Sequence, residues 1–356
     1  MSQDFTIIVG TVGDGIWRST DGGTSFGRAR KPDDSPLNSV DTIVKGLGVD
    51  PFDPRHVIAG MGQNATPYSP IVGSTHAMWE TYDGGATWSP IENFPVTEVW
   101  RIVWDTTTPG RYFVGTRPAA IHRTEDGGKT FERLPMQAEE FCRGIGITRI
   151  TSITLQPDDP STMLVTVEIG GVRVSFDRGD SWEQVMTDIA SPPPNGAVFG
   201  VDGRMDCHYS RIIPGRGGDP DLYLVSTPDG LYSSEDRGKS WADWPVEQVF
   251  PAQYHRDIAV KIDDPDTIFV GVGDHTAGQE GAIVITRDRG KSWEVAELPD
   301  ECNSPVWAFG LHASNPEVIV AATHQGMVFG SEDGGHTWEK YRREFTEIRQ
   351  LCWLPN

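Results

Sequence analysis

The chain has 356 residues, of which 37% are hydrophobic and 23% charged, the balance of a soluble globular protein. Fifty-one acidic against 30 basic residues give a net charge of −21. That excludes a general nucleic-acid or anionic-membrane surface, because phosphate neutralisation needs clustered Lys and Arg, and no apolar run approaches the ~18 residues that cross a bilayer.

The N terminus runs directly into a strand, Thr6-Ile7-Ile8-Val9-Gly10-Thr11, with no basic or apolar leader region before it. No signal peptide and a cytoplasmic location are therefore expected. Cys142, Cys207, Cys302 and Cys352 lie far apart without a CxxC pair, as reduced structural thiols do. From residue 19 onward one pattern, Ser/Thr-x-Asp-x-Gly-x-Thr/Ser-aromatic, recurs at 19–26, 81–88, 124–131, 175–182, 234–241, 286–293 and 331–338. Its Asp accepts backbone N–H groups and fixes a turn. The Gly two residues later suits positive φ, and the aromatic buries a ring as the next strand begins. A residue used identically in seven repeats cannot mark a single site, so these carboxylates read as hairpin staples.

An apolar strand precedes each turn, as at 15–18, 231–233 and 327–329, and a strand of Val-Gly-Thr character precedes that, as at 8–11, 113–116 and 270–272. An Asp/Pro-rich turn and a further strand come earlier still. Four strands in each repeat of about 45–60 residues make a propeller blade, with strands A to D running outward from the axis. The chain opens in a B strand and closes in an A strand at 347–353. The expected fold is thus all-β: one seven-bladed β-propeller of four-stranded antiparallel blades over residues 1–356. Its C-terminal strand completes the N-terminal blade and removes two exposed edges.

The seven turns resemble the BNR/Asp-box repeats of the sialidase-like propeller superfamily, and the resemblance covers the whole chain. It implies the same fold but no single activity, since relatives include sialidases, xyloglucan-type glycoside hydrolases, sortilin-type receptors and photosystem II assembly-factor propellers. Sialidases of this kind have six blades and an Arg-Ile-Pro motif near the start. This chain has seven boxes and no Arg-Ile-Pro, so sialidase activity is not expected.

In such blades the B–C and D–A loops share one face. The long insertions, at 63–78, 134–148, 186–206 (with the Pro-rich run 192–196) and 274–281, all belong to that set, whereas neutral drift would scatter them over both faces. This points to a site there. One register at the start of the A strands reads Lys45, Arg101, Thr151, Arg211, Arg256, a position near Trp307, and Arg349. So many cations in an acidic chain need compensation, either from Glu98, Asp206, Asp257 and Glu347 or from a bound carboxylate or phosphate gripped by Arg forks. His208, His255, His275 and His324, with Glu168, fall on strand ends at the same opening. They are expected to hold one divalent ion (Zn²⁺, Fe²⁺ or Mn²⁺) or to act as acid and base, with His208, His255 and Glu168 as the catalytic candidates. Tyr209, Tyr254, Trp100 and Trp307 would wall the pocket.

The preferred reading is an enzyme, a hydrolase or lyase, acting on a small anionic molecule or sugar as a monomer or weak homo-oligomer. Its alternatives are a non-catalytic assembly module that recognises an acidic peptide or chain terminus, and a glycoside hydrolase using two carboxylates.

Overall fold

The computed structural model describes residues 5–37, 43–62, 76–142, 146–186, 206–244, 246, 249 and 254–356. Most of the insertions at 63–78 and 186–206, including 192–196, lie outside the described residues. No helix among the described residues is long and apolar enough to cross a membrane.

Seven four-stranded antiparallel sheets form the chain. The first blade combines Ile348–Pro355 as its innermost strand with Phe5–Thr11, Ile16–Ser19 and Gly27–Arg28. The other six follow in chain order, with innermost strands Val44–Val49, Glu98–Trp104, Ile150–Leu155, Tyr209–Ile213, Tyr254–Val260 and Val306–Leu311. Each innermost strand packs on the next, and Ile348–Pro355 lies between Val306–Leu311 and Val44–Val49, so the ring closes. The clasp pairs Phe5 with Pro355 and Gly10 with Gln350, as the unpaired ends of the sequence imply. A short extra hairpin, Phe141–Cys142 with Gly146–Ile147, occupies the insertion before the fourth blade.

The seven hydrophobic clusters each span one interface between adjacent blades. A blade therefore buries both faces, and second strands such as Val57–Met61 and Met163–Val167 are buried along their whole length, as strands covered on two sides are. Near the axis the blades converge and glycine makes room. A Cβ on Gly46 would stand 2.9 Å from the Trp100 carbonyl oxygen, and one on Gly60 2.7 Å from that of Val99. Cys207, Cys302 and Cys352 are buried and unbridged, and burial pushes the Cys302 and Cys352 thiols up to about 12.

All seven turns share one network. In the fifth blade Ser234 Oγ donates to Asp236 Oδ1 at 2.8 Å and accepts from Gly238 N at 2.8 Å. Asp236 also accepts from Ser240 N at 2.9 Å and Ser240 Oγ at 2.6 Å. These bonds hold Asp236 at about 2, as they do Asp126 and Asp288.

Trp353 is 2% exposed, donates to the Val318 carbonyl at 3.1 Å and meets Phe5 edge-on at 5.4 Å. Trp353→Ala is expected to lower the unfolding free energy in urea by ~3–5 kcal/mol, and a loss under ~1 kcal/mol would contradict the clasp's role. Asp236→Ala, at an exposed turn, should cost only ~1 kcal/mol. Because the box carboxylates titrate below their unfolded value of ~3.9, their stabilisation is complete above that pH and is lost as pH falls towards about 2. A thermal melt unchanged between those limits would refute it.

Candidate functional site

Six innermost strands slip register against their neighbours just where the chain enters them. The slips fall between Val44 and Gly46, Val99 and Arg101, Ile150 and Ser152, His255 and Ile258, Val306 and Ala308, and opposite Gly10/Thr11. The residues left out of the ladder are Lys45, Trp100, Thr151, Arg256 with Asp257, Trp307 and Arg349. A bulge removes a residue from pairing and re-aims its side chain. Here six bulges repeat around one axis and turn cations and indoles into a common mouth. In the fifth blade Arg211 stays in register opposite Leu224. In the third, Trp100 rather than Arg101 takes the bulge, and Arg101 follows it opposite Gly115. The spacing of the sequence does not show where a bulge inserts, which is why the expected register is one residue off there.

The aromatics sort the cations. Trp100 carries Lys45 Nζ at 5.0 Å, Arg149 at 4.0 Å and Arg349 at 5.9 Å from its ring centre. Trp307 carries Arg256 at 3.6 Å and Arg349 at 4.7 Å, and meets the His324 ring at 4.4 Å. Tyr209 carries Arg211 at 4.4 Å and Arg101 at 5.2 Å. Tyr254 lies 6.2 Å from Trp307, and its hydroxyl accepts from Arg256 at 3.4 Å. The structure thus brings Lys45, Arg101, Arg211, Arg256, Arg349, Tyr209, Tyr254 and Trp307 to one place. The Arg211 side chain is 26% exposed although its strand packs between two blades.

Four of the mouth's guanidinium groups have carboxylate partners. Arg117 meets Glu98 at 3.3 Å, Arg211 meets Asp257 at 3.7 Å, Arg149 bonds Glu168, and Arg349 bonds Glu347. Glu98 also accepts the Trp100 indole N–H at 2.9 Å, and Asp257 the Phe309 N–H at 2.9 Å. Among the described residues no carboxylate lies within ion-pair distance of Lys45, Arg101 or Arg256. Arg101 instead donates to the carbonyls of Thr151 at 2.5 Å and Trp100 at 3.0 Å, and to Gln350 Oε1 at 3.3 Å. Burial, then the Arg349 charge, pushes the Lys45 amine down to about 7. Burial likewise brings Arg349 down to about 10 and raises Glu168.

Arg149 and Arg117 belong to this mouth but were not anticipated. Arg149 stands two residues before Thr151, the one uncharged polar member of the expected register. A strand's period of two keeps such positions on one side, so the missing cation could have been sought there.

The four histidines do not converge on one point among the described residues. His208 is 3% exposed, its Nδ1 lies 2.6 Å from the His255 carbonyl oxygen, and Asp206 stands 3.7 Å from its Nε2. His255 is fully buried within its own strand. The His275 side chain is 70% exposed and bonds the Thr276 carbonyl at 2.9 Å. His324 is separated from His208 by the rings of Tyr254 and Trp307. Among the described residues no group of three His, Cys, Asp or Glu could hold a metal ion. The physical reason is local: His208 bridges two blades through a backbone carbonyl, and His275 sits out on a loop. Glu168, the third catalytic candidate, is occupied by Arg149.

His324 differs. It is 5% exposed, its nearest carboxylate is Glu347 at 3.7 Å, and neither ring nitrogen has a hydrogen-bond partner among the described residues.

The model of the Sortilin-Vps10 family (sortilin, neurotensin receptor 3) matches residues 229–353. A probable oligoxyloglucan-reducing end-specific xyloglucanase of Neosartorya fischeri is 24% identical over 75% of this chain and 35% of its own length. The chloroplastic photosystem II stability/assembly factor HCF136 of Arabidopsis thaliana is 23% identical over 76% of this chain and 63% of its own length. The chain thus spans about a third and under two thirds of these two relatives. Among solved structures, YCF48 bound to D1 peptide superposes with a TM-score of 0.58 at 17% identity, over 97% of this chain and 94% of that one. An ancestral GH74 enzyme superposes with a TM-score of 0.58 at 14% identity, over 99% of this chain and 50% of that one. These structural likenesses show the propeller fold.

Burial, then Arg349, brings the His324 imidazole down to about 4. Its proton NMR resonances should therefore stay those of a neutral ring from pH ~8 to ~5, and a midpoint near the ordinary ~6.5 would contradict the charge distribution given for the mouth.

Proposed function

We propose that this propeller is a non-catalytic binding module whose axial mouth receives a carboxylate from an acidic peptide or a chain terminus. The observation that carries this reading is the imbalance of charge. Arg256 and Lys45 are 5% and 9% exposed and, among the described residues, have no carboxylate at ion-pair distance. Buried cations are costly unless paired. A carboxylate ~8 Å from each would gain about 2 kcal/mol per cation at an effective dielectric of ~20. The acidic exterior does not oppose this, since a cleft can hold a field of opposite sign. The His324 nitrogens, without a hydrogen-bond partner among the described residues, offer one at the same place. The use of a propeller by the structure of YCF48 bound to D1 peptide supports a peptide as the occupant.

The enzymatic alternative retains one support, the xyloglucanase relatives. Against it, the catalytic candidates His208 and Glu168 are tied up in an inter-blade bond and an ion pair.

The test uses an acidic octapeptide with a free C terminus and its C-amidated twin, titrated calorimetrically at low salt. Binding of the free acid, weakened at least about tenfold by amidation (~1.4 kcal/mol) and lost in Arg256→Ala, is expected. Affinity should be highest below pH about 7 and should fall as pH rises through that value, because Lys45 then loses its charge. Cleavage of xyloglucan oligosaccharides, or equal binding of both peptides, would overturn the proposal.

A further inference from the structure

Lys45 has surroundings unlike those of a surface lysine. A bulge takes it out of its ladder between Val44 and Gly46. Gly62 lets its stem lie flat, since a Cβ there would stand 2.5 Å from Lys45 Cγ and Cε. Its amine shares the Trp100 ring with Arg149 and Arg349, at 5.0, 4.0 and 5.9 Å from the ring centre. The charged groups that face it are Arg349 and Glu347 of the first blade, Glu98 of the third and Arg149 of the fourth. Each carboxylate nearby is engaged elsewhere: Glu347 by Arg349, Glu98 by Arg117 and Trp100, and Glu168 by Arg149.

Among the described residues, three cationic side chains on one indole have two carboxylate partners, Glu347 and Glu168, and Lys45 is the member without one. We propose that Lys45 is a carbon dioxide-binding residue, its amine adding to CO₂ to form a carbamate held between Arg349 and Arg149. The amine lone pair forms the N–C bond, one C=O π pair moves to oxygen, and the nitrogen proton leaves to solvent. Loss of the ammonium proton to solvent, followed by this addition with loss of a second proton, turns a cation into an anion and supplies the missing carboxylate on the lysine's own end. The addition needs an uncharged amine, which ordinary lysines at ~10.4 rarely offer at neutral pH. Lys45, brought down to about 7, offers it. The site is the mouth to which a peptide carboxylate is assigned above, so the modification would compete with that ligand, but its chemistry stands without one.

The protein would be equilibrated with ¹³C-bicarbonate at about pH 8, where Lys45 is mostly neutral, trapped with triethyloxonium, and mapped by peptide mass spectrometry. We expect ethyl carbamate on Lys45 at least about tenfold above that on the exposed Lys129 and Lys239. It should be absent without bicarbonate, and the carbamate ¹³C resonance should be missing in Lys45→Arg that melts like the parent. No adduct at Lys45 in the parent protein, or equal labelling of all three lysines, would overturn the proposal. This readout is independent of peptide titration, so either idea can fail alone.

Discussion

Each blade of this protein has two apolar faces, and neither can be left in water. A stack of such sheets is stable only when it closes on itself, so that the first and last faces meet. In this chain closure falls to Ile348–Pro355, which supplies Leu351 and Trp353 to the interface with the seventh blade and Leu354 to the interface with the second. Ring closure also dictates where chemistry can lie. The seven inner strands must converge, glycines must let their backbones approach, and their entry ends form the rim of a single opening.

The bulges turn this geometry into a site. An inner strand in perfect register would point alternate side chains into the two neighbouring blades, and a charged residue there would be buried without solvent. By slipping register at the entry, six strands release one or two residues towards the axis. The large polar residues so released are cations and indoles, and they stack. Trp100 and Trp307 flank Arg349, which touches both. Indole faces hold guanidinium groups without neutralising them, so positive charge is concentrated and kept available. The carboxylates two residues upstream of bulge positions, Glu98 and Glu347, restrain part of it, and among the described residues Lys45, Arg101 and Arg256 have no carboxylate at ion-pair distance.

Much of the fold was legible because the signals were local and repeated. The seven repeated turns write their hydrogen bonds into eight consecutive residues, and the unpaired terminal strands betray the clasp. The cationic register was legible for Lys45, Arg256 and Arg349, where strand alternation and turn position coincide. It failed at Trp100 and Arg101, because a bulge adds a residue that no spacing records. It missed Arg149, displaced by one pleat from Thr151. The placement of the histidine side chains was not legible for a different reason. Strand-end positions bring residues to one rim but do not say which way a ring turns, and His208 turned to the His255 carbonyl while His275 stayed on an exposed loop.

The proposed binding role depends on the positive charge that, among the described residues, has no carboxylate at ion-pair distance in the mouth, and a small anion can test it without knowledge of the natural ligand. Crystals soaked in bromide, with anomalous data collected at the bromine edge, would locate every anion that the surface concentrates. The account predicts a well-occupied bromide inside the mouth, bounded by Lys45, Arg256 and His324 and lost in Arg256→Ala. Bromide confined to exterior arginines, with none on the axis, would contradict it.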